Sequence, residues 1–436
     1  MRFNARPCSG PIVMTRIIGI DFGTTNSVLS VLDADGTTHN ASFGPDALDV
    51  FRSVLCFWAE EEPGRRTELR SAAGPAAIAA YLDDPLDSRL IMSMKSYLAQ
   101  RSFTQTTLYG RNVTLEQLIA IFLRAFMAAS GIDTVDTHIV AGRPVRFVGE
   151  TADDAFGEQR LRDAFAEAGL EGIDVAYEPE AAGYRFAREL KSAANVLIGD
   201  FGGGTSDFSI VRFDKGQVTP LATTGIGIAG DAFDYRIIDQ VISPLLGKGD
   251  TYRPGGTDLP VPPEYFSAFA RWHRLSLMKA PRTLRSITEV AAKARHPERL
   301  RALLTLIEDE LGYRLYQVVS AAKAALSRGD STVLSFHHKD IHIEQTIARA
   351  DFESWIAPDI ARMSQTVDAT LVQGGLSEGA IDHVFLTGGT SFVPAVRRLF
   401  EDRFGAEKVS AGGEFVSVAE GLALIGRDRM PQADAA

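Results

Sequence analysis

Residues 17–31 read IIGIDFGTTNSVLSV. An apolar run enters a Gly/Thr turn, and a second apolar, β-rich run leaves it. That is the pattern of a hairpin with polar residues held at its tip. Residues 196–211, VLIGDFGGGTSDFSIV, repeat it, with Asp200, Phe201 and Gly202 in the register of Asp21, Phe22 and Gly23. The copies lie about 180 residues apart, too far for a solenoid repeat. A duplicated domain with one hairpin in each half fits better.

The hairpin tips have the chemistry of phosphate loops. Glycine lets backbone N–H groups approach phosphate oxygens closely. Thr24, Thr25 and Asn26 add side-chain donors to the first loop; Gly203, Gly204 and Thr205 extend the second. An aspartate at a strand end repels phosphate unless a cation stands between them. Asp21 and Asp200 therefore imply Mg²⁺, held partly through water. One such loop could be an ordinary turn; two in the same register make that reading weak. A third element, Thr387-Gly388-Gly389-Thr390, is a strand ending in Gly-Gly before a helix, which offers close backbone approach and a helix N-terminus. No GxxxxGK[ST] occurs, so this is not a P-loop protein.

Composition narrows the alternatives. The chain has 436 residues, 45% hydrophobic and 23% charged, with a formal net charge of -11. Such an acidic balance argues against nucleic acid and against an anionic membrane surface as partners. Two cysteines, Cys8 and Cys56, make no disulfide framework. No apolar run is long enough for a membrane span, and the first residues, with three Arg, do not read as a secretory signal. A cytoplasmic protein is expected. Met14 stands just before the first strand, so residues 1–15 read as a flexible extension or a misassigned start.

Between the hairpins, 112–131 has helical spacing, 136–144 reads as a strand, and 151–169 reads as a helix with Thr151 as N-cap. Residues 178–192 read as another helix, with Pro179 in its first turn. Residues 248–263 are rich in Gly and Pro and read as an irregular loop, and 264–328 as almost wholly helical. Nine Lys/Arg between 271 and 301 read as a solvated helical face, or as a docking surface for an acidic partner. Strands are expected at 331–347 and helices at 351–374. His338, Asp340 and His342 fall on one face if the strand is continuous; an exposed strand face is preferred there over a metal site.

Together these residues resemble the actin/hexokinase/heat-shock ATPase superfamily and, within it, the DnaK-type 70-kilodalton heat-shock chaperones. GIGIAGDAFDYRI at 225–237, YEPEAAGYRFA at 177–187 and VAGRPVRF at 140–147 are similar to that family's segments. The similarity covers about residues 17–426, the ATPase part alone, as in the short YegD-like branch without a peptide-binding domain. It implies a two-lobed actin-like α/β ATPase fold of duplicated ribonuclease H-like domains, each lobe with an outer subdomain. Lobe I would span 16–192 (outer part about 37–112). Lobe II would span 193–426 (outer part about 229–349, with a helical insertion at 248–312), before a loose tail at 427–436.

The resemblance also assigns roles. Asp21 and Asp200 would hold the Mg²⁺ shell, while Glu178 and Asp207 would orient the attacking water and its cations. Gly23, Thr24, Thr25, Asn26, Gly202, Gly203, Gly204 and Thr205 would bind the phosphates of ATP or ADP. Gly230, Lys323, Ser327, Gly388, Gly389 and Thr390 would surround the adenosine. Three departures stand out. Ile78 is expected where the family has a lysine reaching the γ-phosphate, with Lys95 matched to a helical surface position. Ser320 and Ala324 replace an acidic and a basic residue. Phe392 replaces a basic one, and either stacks on adenine or packs into the lobe.

Three functions follow as expectations. The first is a slow Mg-dependent ATPase in a chaperone-like role, with client proteins or a co-chaperone as partners. The second, favoured by Ile78, is a nucleotide-binding switch with negligible hydrolysis. The third is a small-molecule kinase of the same superfamily.

Overall fold

The two Asp-Phe-Gly segments close two hairpins. Strand Arg16–Phe22 pairs antiparallel with Asn26–Leu32, and Ala194–Phe201 with Ser206–Asp214. These strands are buried nearly end to end, which explains their continuous apolar runs in place of alternation. The computed structural model describes residues 16–430, apart from 34, 45–46, 61–67, 148–151, 188–191, 215–216, 271–277 and 412–416. Thr151 lies outside the described residues, and the N-cap of helix Asp154–Glu167 is Asp153, whose carboxylate accepts from Phe156 N–H.

Each hairpin anchors a sheet, and the two sheets have one plan. The first runs Thr38–Asn40, Asn26–Leu32, Arg16–Phe22, Thr137–Arg143, Asp174–Tyr177. The second runs Gln217–Ile226, Ser206–Asp214, Ala194–Phe201, His383–Thr387, Val409–Ala411. In both, three antiparallel strands are followed by two parallel ones. Parallel neighbours need crossover connections. Helix Asp154–Glu167 lies in one of them, and helix Pro394–Phe404 in its counterpart. Helix Leu115–Ser130 begins with a capping box between Thr114 and Gln117 and stops at Gly131, which takes a left-handed φ of 67°.

Two helices hold the sheets together. Glu178–Ala187 follows the last strand of the first sheet but packs on the second, whereas Ser417–Arg429 comes from the end of the chain and packs on the first. They cross so closely that a Cβ on Gly421 would lie 1.7 Å from the Ala181 carbonyl oxygen. Val140, Ala181, Val196, Val211, Leu422 and Ile425 form the buried seam there. Arg427 to Arg429, expected in a loose tail, are the last turn of this helix.

A separate three-stranded sheet (Glu68–Ala73, Val54–Glu60, Ser88–Met92) begins at Val54, not near residue 37. Residues 38–40 and 51–52 instead extend the first sheet, because their backbone groups pair with Asn26–Leu32. Within 248–263, two-residue strands Thr251–Tyr252 and Leu259–Pro260 pair across the loop. Helix Gly312–Leu326 leans on the small sheet through Val54, Cys56, Tyr81, Tyr313 and Tyr316, and the Tyr81 hydroxyl donates to the Glu310 carbonyl at 2.7 Å.

The histidine cluster is a hairpin tip and not one continuous strand. Ser331–His338 turns at Lys339 and Asp340 into Ile341–Ala348. His337 therefore opposes His342, while His338 meets Asp309 at 2.8 Å. Of the basic segment, Arg271 and Arg274 lie outside the described residues. Arg282 and Arg285 are exposed on helix Pro281–Ala291, as a solvated face requires.

Candidate active site

The hairpin tips face each other across a cleft of about 700 Å³. Its floor holds Asp21, Lys95, Glu178 and Asp200. The first loop contributes Gly23, Thr24, Thr25 and Asn26, and the second Gly202, Gly203 and Thr205. The loops approach closely: a Cβ on Gly203 would lie 2.4 Å from Thr25 Oγ1. Gly204, expected among the phosphate ligands, is in the same loop but does not line the cleft.

The second loop is braced from both sides. Gly202 N–H donates to Thr205 O at 2.9 Å, closing the turn. Asp231 N–H, in the first turn of helix Gly230–Ile237, donates to Gly203 O at 2.8 Å. The Thr390 hydroxyl, in the Gly-Gly turn, donates to Gly202 O at 3.1 Å. The three glycine-rich segments expected from sequence thus form one connected unit. Asp207 stands behind the loop, buried, with Oδ1 accepting from Val145 N–H at 3.0 Å. It does not line the cleft itself.

Lys95 corrects the sequence reading most sharply. It is 7% exposed, not on a helical surface, and its ammonium lies 2.5 Å from Glu178 and 3.9 Å from Asp21. A 3₁₀ turn, Met94–Tyr97, entered through Ser93 in a left-handed conformation, aims it inward. Ile78, expected at the cationic position, lies on helix Gly74–Asp83 and packs against the tyrosine cluster. A buried cation therefore stands among the cleft carboxylates, supplied by Lys95 and not by residue 78. A signal was available: Lys95 is flanked by Met92, Met94, Tyr97 and Leu98, and a lysine in an apolar run is drawn inward by its neighbours.

The electrostatics are those of a site that wants a cation. Burial pushes the Asp21 carboxyl up to about 7, with Lys95 opposing and Glu178 reinforcing the shift. Burial, with the charges of Glu178, Asp21 and Asp207, raises Asp200 well above the ordinary range. Asp207 is likewise raised to about 7, by burial and Glu178. Burial works to lower Lys95, but Glu178, Asp21 and Asp200 outweigh it and hold the ammonium above its usual value. Four carboxylates against one lysine leave negative charge that a divalent ion would neutralise. No three His, Cys, Asp or Glu side chains among the described residues form a metal cage. The carboxylates of Asp21 and Asp200 in the cleft wall are hard oxygen donors of the kind that suits Mg²⁺, which keeps several waters and leans on phosphate.

The same cleft is lined by Gly230, Lys323, Ser327, Gly388, Gly389, Thr390 and Phe392, the seven residues expected around adenosine. Lys323 is held by Asp234 at 2.8 Å and by Gly230 O at 3.1 Å. Burial raises Asp231 to about 7, with Asp234 adding and Lys323 opposing. Phe392 is 50% exposed and lines the cleft, so it is not packed into the core. Sequence reasoning missed Arg52, Asp231, Tyr316 and Arg328, which also line the cleft. Arg52 arrives through the pairing of Phe51–Arg52 with Asn26 and Ser27, and Nη1 donates to Asn26 Oδ1 at 3.1 Å.

A family model described as "Hsp70 protein" matches residues 101–249 and 306–433. The chain belongs to the Hsp70 family. Chaperone protein DnaK of Deinococcus radiodurans is 26% identical over 423 residues, covering 94% of this chain and 59% of the relative. Chaperone protein dnaK of Cyanidioschyzon merolae is 26% identical over 431 residues (94% and 61%), and that of Thermus thermophilus 25% over 423 (94% and 60%). This Hsp70-family chain thus spans about three fifths of the length of these curated relatives. Among the described residues, no helix is long and apolar enough to cross a membrane.

Proposed function

We propose that this chain binds ATP and ADP between two lobes of an actin-like fold and hydrolyses Mg-ATP slowly, coupling nucleotide state to lobe closure. The observation that carries the reading is Lys95 held between Asp21 and Glu178 on the floor of a cleft whose walls are two glycine loops. The repeated sheet plan supports the two-lobed arrangement, and the helix pair Glu178–Ala187 and Ser417–Arg429 lies where a hinge would be needed.

Phosphoryl transfer depends mainly on positioning and charge stabilisation. Backbone N–H groups of both loops and the Thr24 and Thr25 hydroxyls would receive phosphate oxygens, while the Thr205 hydroxyl, lining the same cleft, bonds the Asp207 carboxylate. Asp21 and Asp200 would hold the Mg²⁺ shell, and the ion would neutralise charge on the phosphates. Lys95 supplies a fixed positive charge in a buried setting, where such a charge acts most strongly. Glu178 shares its carboxylate with Lys95 and faces the cleft, fitting it to accept a hydrogen bond from water. Asp207, fixed by Val145 N–H, would orient cations behind the loop.

Lys95 removes the ground that Ile78 gave the switch reading, and among the described residues no side chain marks an acceptor pocket for a kinase. A chaperone-like role with client or co-chaperone partners is the reading that membership of the Hsp70 family favours. Phosphate release from Mg-ATP by the wild type, with Asp200→Ala as control, tests the proposal. Turnover that Asp200→Ala abolishes is expected; release no faster than that of the variant would leave a binding module.

A further inference from the structure

We propose that the cross-strand pair His337 and His342 is a surface chelate for a late first-row transition-metal ion of the Cu²⁺ or Ni²⁺ class. Neither histidine lines the nucleotide cleft, so the proposal stands independently of the reading above.

The hairpin of Ser331–His338 and Ile341–Ala348 has two unlike faces, as alternation along its strands requires. Leu334, Phe336, Ile341 and Ile343 are buried in the core. His337 and His342 are exposed on the other face. The core face fixes the backbone, and the register sets His337 directly opposite His342. The turn is tied down as well. His338 Nε2 lies 2.8 Å from Asp309 Oδ2, and the Lys339 ammonium donates to the same oxygen at 2.6 Å. His338 is therefore engaged elsewhere.

The two rings present nitrogen to each other. Their centroids are 5.4 Å apart, but their Nδ1 atoms are 3.1 Å apart. Two imidazole nitrogens held about 2.0–2.1 Å from one ion lie roughly 2.9 Å apart at a right angle and roughly 3.3 Å apart at the tetrahedral angle. The observed separation falls between these values, so both nitrogens can ligate one ion with little movement. The Ser335 hydroxyl lies 2.9 Å from His337 Nε2. An Nε2–H donating there leaves Nδ1 as a bare lone pair, the form that a metal needs. No third His, Cys, Asp or Glu side chain completes a cage among the described residues, so water would fill the remaining positions. Two imidazoles with water oxygens suit Cu²⁺ or Ni²⁺, which stand high in the divalent affinity series. Mg²⁺ takes oxygen ligands and would not compete.

The test is Cu²⁺ titration of the full chain, without nucleotide and with excess Mg²⁺, read by calorimetry and electron paramagnetic resonance. A strong equivalent is expected, with a spectrum coupled to two nitrogens. His337→Gln and His342→Gln should each weaken it about tenfold or more, because losing a group that only orients a ligand already costs that much. His338→Gln should leave it unchanged. Both proposed ligands are exposed, so neither variant should disturb folding, which circular dichroism checks. Wild-type affinity in both His337→Gln and His342→Gln would reduce the pair to a hydrogen bond between strands and overturn the proposal. Loss of the ion in His338→Gln alone, or no strong equivalent in the wild type, would overturn it too.

Discussion

Two parts of the cleft wall, the glycine loops and the surroundings of Phe392, are built on opposite principles. At the loops, backbone and buried charges are braced by hydrogen bonds between segments far apart in the chain: Thr390 to Gly202, Asp231 to Gly203, Lys95 to Glu178. Around Lys323, side chains bond locally within the protein and the Phe392 ring stays half-exposed in the cleft wall. The first arrangement is costly to assemble, because buried carboxylates are forced close together. A bound cation would offset that cost by favouring the charged carboxylates. The second buries less charge and costs less to assemble. The difference teaches that buried charge is concentrated at the loops, where the proposed chemistry would need it, and is absent around the exposed Phe392 ring.

The largest break in that comparison should come from Lys95→Ala. It removes the fixed cation and leaves Glu178 without its partner. Phosphate release should fall about 100- to 1,000-fold, the usual cost of one transition-state charge contact, while Mg-ADP still binds. A variant with wild-type turnover would reduce Lys95 to a structural ion pair.

A smaller effect follows from the buried acids. Asp21, Asp207 and Asp231 have folded-state values near 7, above the ordinary carboxylate range. The folded protein therefore holds protons that the unfolded chain has released between about pH 4 and 7, and stability falls as pH rises through that window. Ligand-free protein should melt at lower temperature at pH 7.5 than at pH 5.5. Mg-ADP should reduce this slope, since it stabilises the charged carboxylates. A melting temperature that rises with pH in the ligand-free protein would show that these carboxylates are ionised without help.

The smallest effect is expected at Ile78. Its side chain belongs to the tyrosine cluster above the cleft, so Ile78→Lys should give no gain in phosphate release. A faster variant would mean that a cation in that helix reaches the loops after all.

The same contrast explains what was legible in the sequence. Both hairpins, the Gly-Gly turn and the helix at Glu178 are contiguous motifs, with backbone chemistry written in glycines and apolar runs. Lys95 was misplaced because its role depends on Glu178, 83 residues away. Local spacing cannot show that contact, although the apolar residues around Lys95 hint at it. Arg52 was missed for the same reason, since a two-residue strand pairing with Asn26 brings it to the cleft. The outer sheet was expected too early because short strands at 38–40 and 51–52 declare their partner only through pairing. Phe392, by contrast, stood out locally as a departure, and its exposure sets aside the reading in which it packs into the lobe.

The most direct test of the account is calorimetry with Mg-ATP on the wild type and on Gly203→Val. A side chain at 203 would collide with Thr25 Oγ1, where the two loops approach. The account predicts micromolar or tighter binding by the wild type, about −8 kcal/mol or better, and loss of that binding in a variant that is still folded by circular dichroism. No heat from the wild type at high protein concentration, or equal affinity in Gly203→Val, would contradict it.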